Sequence, residues 1–309
     1  MVQLGLMIEG QDGLNWPRWQ RLLKTAEDFG YRFLFRSDHF TNASAPDKDS
    51  LELWVSLVYA ADHTRRIEFG PLVTPITFRH PAITARMAAA VDDLSGGRLV
   101  LGMGAGWQER EHYTFGVPFY DFPTRYARLT EGLEVVTRLL TSDIPVTFQG
   151  QYYTLDEAML LPRPQRPGGP PILIGGNGPE RTLPLVARYA TEWNAVFIRL
   201  ETYRERSRQL DDLLDQQGRA PHSVKRSLMT QLVYGRDDAD VRRKLGTRDA
   251  DETIARGLIV GTTGAVIEQL GRFAEAGVER FMLQWLDQDN IADLERFARD
   301  VLPHFHGAG

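Results

Sequence analysis

Short apolar segments alternate along this chain with longer segments whose apolar residues recur at helical spacing. This alternation is typical of repeated β-α units, in which parallel strands form a sheet and helices cover it. Eight runs are predicted as strands, and eight is the number of strands that closes a barrel. They span residues 3–8, 33–35, 67–73, 98–103, 172–174, 193–198, 227–234 and 280–284.

The helices between these runs have recognisable ends. Residues 16–29 carry Pro17 in the first turn and stop at Gly30, and residues 81–94 begin with a proline and stop at Gly96 and Gly97. Residues 249–263 are predicted as a short helix followed by a loop. Further helices are predicted to begin near residues 51, 124, 180, 201, 238, 264 and 291.

One connection, at about residues 144–171, is longer than the others. It contains VTFQGQYYTL, which alternates around Gly150 and predicts a hairpin, and LPRPQRPGGPP, whose prolines exclude a helix. Nothing in its composition separates two domains. We therefore predict an ordered insertion before strand five within a single domain, residues 1–309.

Composition narrows the function classes. The 309 residues carry a net charge of -5, which is unlike a protein that follows a nucleic-acid backbone, so a small-molecule partner and no nucleic acid are expected. The absence of cysteine excludes disulfides and thiolate sites and fits the reducing cytosol. No run approaches the ~20 apolar residues of a membrane span, and the first residues lack a signal-peptide pattern. A cytoplasmic location without a membrane partner is expected.

Several polar or small residues stand where strands end. Ligands of parallel α/β sheets bind at the carboxyl ends of strands. His39 follows strand two and can exchange a proton near neutral pH, although a hydrogen bond to a loop would suit it equally well. Asp38 is interpreted first as a neighbour that orients other groups. Thr74 and the glycine-rich residues 104–106 follow strands three and four, so these ends are expected to face one pocket.

A second glycine cluster, residues 175–178, stands between strand five and a helix. Free backbone amides at a helix start, with Arg181 nearby, favour an anion site, although a tight turn would explain two of these glycines as well. A dinucleotide fingerprint around Gly104 is weak, because its final glycine would fall at Trp107.

Other catalytic centres have little support. Glu109 with His112, and His304 with His306, have chelating spacings but lack a third ligand, so no metal site is predicted. No G-x-S-x-G motif supports a hydrolase triad.

Four motifs carry a family resemblance. They are FRSDHF; GPLVTPITFRHP; DDLSGGRLVLGMGAGWQEREH with the following YTFGVPF; and PPILIGGNGPERTLPLVARYATEWN. With them the chain resembles the luciferase-like monooxygenase superfamily, and within it the branch of oxidoreductases that depend on the deazaflavin coenzyme F420. The resemblance implies an α/β fold, a (β/α)8 TIM barrel of the bacterial-luciferase type with an insertion before strand five.

The resemblance also implies a site. His39 would be the catalytic acid or base at the deazaflavin ring, beside Asp38. A non-prolyl cis peptide bond between Leu72 and Val73 would lie behind the ring, with Thr74 next to the coenzyme. The other expected coenzyme contacts are Ala105, Gly106 and Arg110, together with Gly175, Gly176, Asn177 and Gly178 at its phosphate.

The substrate does not follow from the resemblance. Similar sugar-phosphate dehydrogenases use a glutamate for proton transfer, and in the loop after strand four this chain has Trp107, which is interpreted as an apolar substrate wall. Glu9, at the end of strand one, is a candidate for the missing acid, and a structural carboxylate is the competing interpretation.

Two other functions stay open at this point. Related barrels use reduced FMN and oxygen as monooxygenases, and a coenzyme-binding protein without catalysis is the second alternative. The long anionic tail of F420, which FMN lacks, would favour additional basic groups around the site. By the resemblance, a homodimer is expected.

Overall fold

The computed structural model describes residues 2–306, and most of these residues form alternating strands and helices. None of the described helices is both long enough and apolar enough to cross a lipid bilayer. The strands are β1 Gln3–Ile8, β2 Phe33–Arg36, β3 Glu68–Pro71, β4 Thr74–Pro75, β5 Leu101–Gly104, β6 Val146–Gln149, β7 Thr154–Ala158, β8 Ile172–Gly175, β9 Glu192–Val196, β10 Lys225–Tyr234, β11 Ile259–Gly261 and β12 Arg280–Gln284.

The α-helices follow the strands in sequence and cover the outside of the sheet. They are α1 Trp16–Asp28, α2 Leu53–His63, α3 Pro81–Leu94, α4 Glu109–Phe115, α5 Phe122–Thr141, α6 Thr182–Tyr189, α7 Leu200–Gln216, α8 Asp238–Leu245, α9 Ala250–Ala255, α10 Thr263–Glu275, α11 Ile291–Asp300 and α12 Pro303–His306.

The main sheet is a nearly closed parallel barrel. Its strands follow one another in the order β3, β2, β1, β12, β10, β9, β8, β5 and β4. The N–H of Val100 donates to the carbonyl of Phe69 over 2.9 Å, which joins the third strand position to the fourth. The fold is therefore the TIM barrel that the sequence predicts, and the hairpin β6–β7 precedes its fifth strand as expected.

Strand three differs from its prediction. Within the run 67–73 only β3 forms, paired with β2, because Leu72 and Val73 leave the ladder, and pairing resumes after the run, where β4 pairs with β5. Strand six also ends earlier than predicted, at Val196, since Phe197 has a φ of 44° and cannot continue an extended strand.

Two further strand boundaries differ from those predicted from the sequence. In the run 98–103 the regular strand β5 begins only at Leu101, and Leu99 before it forms an isolated bridge with Phe69. Residues 249–263 contain the expected short helix, but Ile259–Gly261 forms a strand along the end of β10 instead of a loop. These three residues find a partner because β10 extends beyond the barrel at Leu232.

Apolar side chains fill two layers. The outer layer packs the sheet against the helices and includes Leu6 and Trp19. The inner layer fills the barrel with side chains such as Phe33 and Phe35. Gly5 on β1 is required beside Phe33, because a Cβ there would overlap the phenyl ring.

A buried ion-pair network lies at the amino-terminal end of the barrel. Arg280 donates to Glu192 over 2.8 Å and to Glu68 over 2.7 Å, and its guanidinium lies 4.3 Å from the centre of the Phe33 ring. The side chains of Arg280 and Glu192 are almost fully buried. Removal of either partner would leave a charge in a medium that solvates it poorly.

We predict that Arg280→Met lowers the free energy of unfolding by about 3 kcal/mol or more, because Glu192 loses its counter-ion inside the barrel. Urea denaturation followed by circular dichroism measures the change. Arg299→Met, which removes a surface ion pair with Asp300, is the matched control and should leave the midpoint unchanged. Adding Glu192→Gln to Arg280→Met should recover part of the loss. Equal midpoints for Arg280→Met and Arg299→Met would contradict this account.

Candidate functional site

A cavity of about 600 Å³ opens at the carboxyl-terminal ends of the barrel strands. Its floor consists of inward-facing apolar side chains of the barrel, and its rim consists of the loops that follow the strands. The lining side chains include Met7, Glu9, His39, Leu72, Val73, Trp107, Glu111, Phe122, Arg125, Tyr126, Phe197 and Met229. Strand-end residues predicted from the sequence therefore meet in one pocket.

His39 and Glu111 form a hydrogen-bonded pair on this rim. His39 Nδ1 lies 2.8 Å from Glu111 Oε1, and the N–H of Phe40 donates to the other carboxylate oxygen over 2.8 Å. The Glu111 side chain is 1% exposed. With Nδ1–H directed to the carboxylate, Nε2 is the ring nitrogen free to reach a ligand.

The pair changes the acidity of His39. Burial by itself lowers the pKa of His39, but the hydrogen bond and negative charge of Glu111 outweigh burial, and the charges of Glu9 and Asp38 add to them, so the pKa is raised. The protonated imidazole therefore persists to higher pH than in water. A histidine in this state can donate a proton at neutral pH and recover it in the reverse reaction.

Asp38 and Thr74 lie just behind the cavity wall. Thr74 Oγ1 donates to Asp38 Oδ2 over 2.7 Å, and Arg79 donates to the same oxygen over 2.5 Å. Arg79 also reaches Glu52 over 2.9 Å. Asp38 thus fixes the loops after strands two and three, which agrees with its interpretation as an orienting group.

The peptide bond between Leu72 and Val73 is cis, as the resemblance implies. Both side chains line the cavity. A Cβ at Gly104 would lie 2.5 Å from Val73 Cγ2, and one at Gly175 would lie 3.2 Å from Val73 Cγ1. The two glycines therefore make room for Val73, which provides a smooth apolar surface for a flat ligand.

Residues 176–178, which follow β8, form a loop with free backbone donors. Gly176 N–H donates to the carbonyl of Asn194, but the N–H groups of Asn177, Gly178 and Arg181 make no hydrogen bond among residues 2–306. No side chain caps the start of α6. Uncapped amides at a helix start, beside the cationic Arg181, can bind an anion such as a phosphate.

The Asn177 side chain has a different role. It donates to the carbonyl of Val196 over 2.6 Å and accepts from the N–H of Val196 over 3.0 Å. Its amide therefore ties the loop after strand five to the end of strand six, and only its backbone is available to a ligand.

Glu9 lies in a polar corner of the cavity. Its two carboxylate oxygens accept hydrogen bonds from Gln284 over 2.6 Å and from Gln11 over 2.9 Å. Ser37 continues this network by donating to Gln11 over 2.7 Å. Glu9 is thus a positioned hydrogen-bonding group at the edge of the pocket.

Two other predicted residues have distinct environments. Trp107 is 63% exposed and its ring meets His39 edge to face, with centres 5.5 Å apart. Ala105 and Gly106 line the cavity beside it. Arg110, by contrast, points away: its guanidinium binds Asp47 over 2.6 and 2.8 Å. The structure does not bring Arg110 to the cavity.

The sequence did not single out Glu111 or the partner of Asp38. Glu111 stands two positions after Glu109 on α4, and only its buried face and the strand-two loop packed on it distinguish the two glutamates. Arg79 stands two residues before the helix that begins at Pro81, where a helix-entry role is the default interpretation. A carboxylate in the first turn of the helix that follows a strand end is the signal that would have suggested Glu111.

The residue pairs with chelating spacing do not form a metal centre in the described part of the chain. His112 is buried, with Nδ1 bonded to the carbonyl of Gln108 and Nε2 to Thr77. Glu109 is exposed at the start of α4. No group of three metal-ligating side chains occurs among residues 2–306.

Known proteins are similar to this chain in sequence and in fold. The chain is 29% identical to an F420-dependent glucose-6-phosphate dehydrogenase of Intrasporangium calvum over 91% of its length and 92% of that protein. It is also 29% identical to the 4-hydroxyprotoasukamycin monooxygenase of Streptomyces nodosus subsp. asukaensis, with 97% and 90% covered. The structure of an F420-dependent secondary alcohol dehydrogenase with an F420-acetone adduct superposes with a TM-score of 0.82 at 21% identity, covering 98% and 99% of the two chains.

The sequence profile of one family spans most of the chain. The luciferase-like monooxygenase profile matches residues 6–250, which include the strand ends that form the cavity and the loop at Gly175. The nearly closed parallel barrel and the insertion before its fifth strand agree with this match. The chain belongs to the luciferase-like monooxygenase family.

Proposed function

We propose that this protein is an F420-dependent oxidoreductase that transfers a hydride between the deazaflavin coenzyme and a small organic substrate, with His39 as proton donor or acceptor. The observation that carries the proposal is the pairing of His39 with the buried Glu111 at the rim of a cavity whose floor is Val73. F420-dependent relatives across nine-tenths of the chain support the choice of coenzyme.

The residues of the cavity fit the coenzyme. Leu72 and Val73 offer an apolar surface to a flat ring, and Ala105 and Gly106 offer backbone beside it. The free amides of Asn177 and Gly178 suit its phosphate. When bound, F420 would supply the hydride chemistry, and the protein would supply orientation and one proton.

Positive charge near the loop that follows strand five, residues 176–178, favours F420 over FMN. Arg181 makes no ion pair with any residue of the described chain, and its guanidinium lies 5.5 Å from the Phe122 ring centre and 6.0 Å from that of Tyr126. Arg206 donates to the carbonyl of Asn177 over 3.2 Å. Arg206 is itself paired with Glu205 over 2.8 Å, so Arg181 is the residue that supports a coenzyme with a long anionic tail, which F420 has and FMN lacks.

In this proposal the proton moves at His39 Nε2. Glu111 holds Nδ1–H and thereby fixes the tautomer and the ring orientation. When substrate is oxidised, Nε2 takes one proton as one hydride leaves, and in the opposite direction Nε2 returns it. Trp107 borders this region and limits the approach of water. Glu9 remains a candidate second proton-transfer group, and homodimerisation stays a prediction.

We predict that the protein binds F420 in preference to FMN, and that Arg181→Gln weakens F420 binding about tenfold, as expected for the loss of one charge-assisted contact. Fluorescence titration of the purified protein with each coenzyme measures both. Arg188→Gln is the matched control, because Arg188 lies in the last turn of α6, away from the helix start at which Arg181 lies, and is paired with Glu134. Tight FMN binding without F420 binding would instead favour the monooxygenase function that one relative has.

His39→Ala should retain F420 affinity and slow turnover by about 100-fold or more, because only the acid-base group is lost. Both quantities are measured with one preparation, by coenzyme fluorescence and by the rate at which F420 is consumed with a substrate of the wild-type enzyme. Unchanged turnover would remove His39 from the mechanism. Retained F420 binding with no turnover by the wild-type protein on any substrate would favour a non-catalytic coenzyme-binding protein.

Glu111→Gln should lower the pKa of His39, since the negative charge that stabilises the imidazolium is removed while burial remains. NMR titration of labelled histidine side chains measures the midpoint, and the His39 signal is the one absent from His39→Ala. Glu109→Gln, an exposed glutamate on the same helix, should leave the midpoint unchanged. The stabilisation from the His39–Glu111 pair is fully present below the unfolded pKa of about 6.5 and is lost as pH rises through the raised folded pKa. The same midpoint in wild type and Glu111→Gln would refute the coupling.

A further inference from the structure

Exposed aromatic side chains surround the mouth of the cavity. Trp107, Phe122 and Phe197 line it and are 63%, 52% and 41% exposed. They come from three separate segments: the loop after strand four, the first turn of α5 and the end of strand six. Apolar rings held in water at the entrance of a pocket are typical of a surface that binds an apolar ligand.

Phe197 is held in an unusual backbone conformation. Its φ of 44° lies in the left-handed region, which bulky residues rarely adopt. Its N–H donates to the carbonyl of Met229 over 3.0 Å, and the preceding Val196 is bonded on both sides of its backbone by Asn177. The neighbouring strand and loop therefore hold Phe197 in place. Such outliers concentrate at ligand sites, because the surrounding structure must enforce them.

The charged groups of the cavity are unsuited to an anionic substrate. Among the described residues that line it, Arg125 carries the one permanent positive charge. Its guanidinium is occupied by the carbonyls of Gly106 over 3.1 Å and Tyr120 over 2.5 Å, and it lies 4.3 Å from the Phe119 ring centre. Two carboxylates, Glu9 and Glu111, also line the cavity. The protonated His39 is already paired with Glu111, so a phosphate or carboxylate on the substrate would lose its water without gaining an unpaired counter-ion.

We propose that the organic substrate is uncharged and carries a flat or bulky apolar group, and that Phe197 is the residue that selects it. The proposal rests on the function proposed above, since it concerns the substrate half of the same cavity. The apolar group lies at the aromatic mouth, and the reacting carbon lies near His39. One hydride passes between that carbon and the coenzyme and one proton passes between the substrate and His39 Nε2, so that two electrons and two hydrogens are exchanged in either direction.

This assignment separates the chain from its sugar-phosphate relatives. Those relatives are named for glucose 6-phosphate, a dianionic and strongly hydrated substrate. The cavity of this chain has exposed aromatic rings at its mouth, and its one arginine, Arg125, is occupied by backbone carbonyls. Discrimination should therefore depend on the charge of the substrate more than on its size.

A matched pair of probes tests the proposal. Acetophenone and 4-acetylbenzoate share one skeleton and differ by a single carboxylate. Calorimetric titration of the F420-loaded protein should give at least about tenfold tighter binding for acetophenone, and glucose 6-phosphate should not bind. Phe197→Leu, which removes the ring, should weaken acetophenone binding about tenfold. Phe197→Lys should reverse the preference in favour of 4-acetylbenzoate.

Two controls keep the outcomes distinct. Tyr113→Leu alters an aromatic side chain that is 71% exposed and does not line the cavity, so it should leave acetophenone binding unchanged. F420 affinity, measured for every variant, reports whether the fold and the coenzyme site are intact. Equal or tighter binding of the carboxylate by the wild-type protein, or binding of neither ketone, would overturn the substrate assignment. Failure to bind F420 at all would instead overturn the proposed function.

Discussion

The site depends on one buried carboxylate. Glu111 accepts a hydrogen bond from Phe40 N–H with one oxygen and bonds His39 with the other, so that a side chain from α4 fixes the loop after strand two. Without it, the imidazole would lose both its orientation and the negative charge that favours protonation. The positions of His39 and Trp107 on the cavity rim follow from this contact, since the two loops that carry them meet there.

A second constraint is the interrupted third strand. Leu72 and Val73 leave the ladder and turn their side chains into the cavity, while Thr74 resumes pairing with strand four. Gly104 and Gly175 lack side chains where Val73 needs space. Leu72 and Val73 thus form an apolar surface at the carboxyl-terminal end of the barrel, which is why the coenzyme is expected there.

The sequence predicted much of this, and what it missed has a physical explanation. The approximate positions of the barrel strands were predicted correctly because such a strand is buried on both faces and must be apolar. The strand ends in turn located His39 and the glycines. The role of Glu111 was missed because an amphipathic helix presents glutamates on several faces and the sequence does not show which face is covered. The conformation of Phe197 was missed for a related reason: its φ is imposed by Met229 and Asn177, which lie elsewhere in the chain. Arg110 is a coenzyme contact by family resemblance and stays a prediction, and the sequence did not show that Asp47 from another loop pairs with it.

The central claim is that this cavity holds a deazaflavin between Val73 and His39. A crystal structure of the protein with F420 measures this directly. We expect the ring against Leu72 and Val73, His39 Nε2 facing the reacting side, and the phosphate within about 3 Å of the amide nitrogens of Asn177 and Gly178. Density for the ring away from Val73, or a phosphate bound elsewhere with the amides of Asn177 and Gly178 unbonded, would contradict the account.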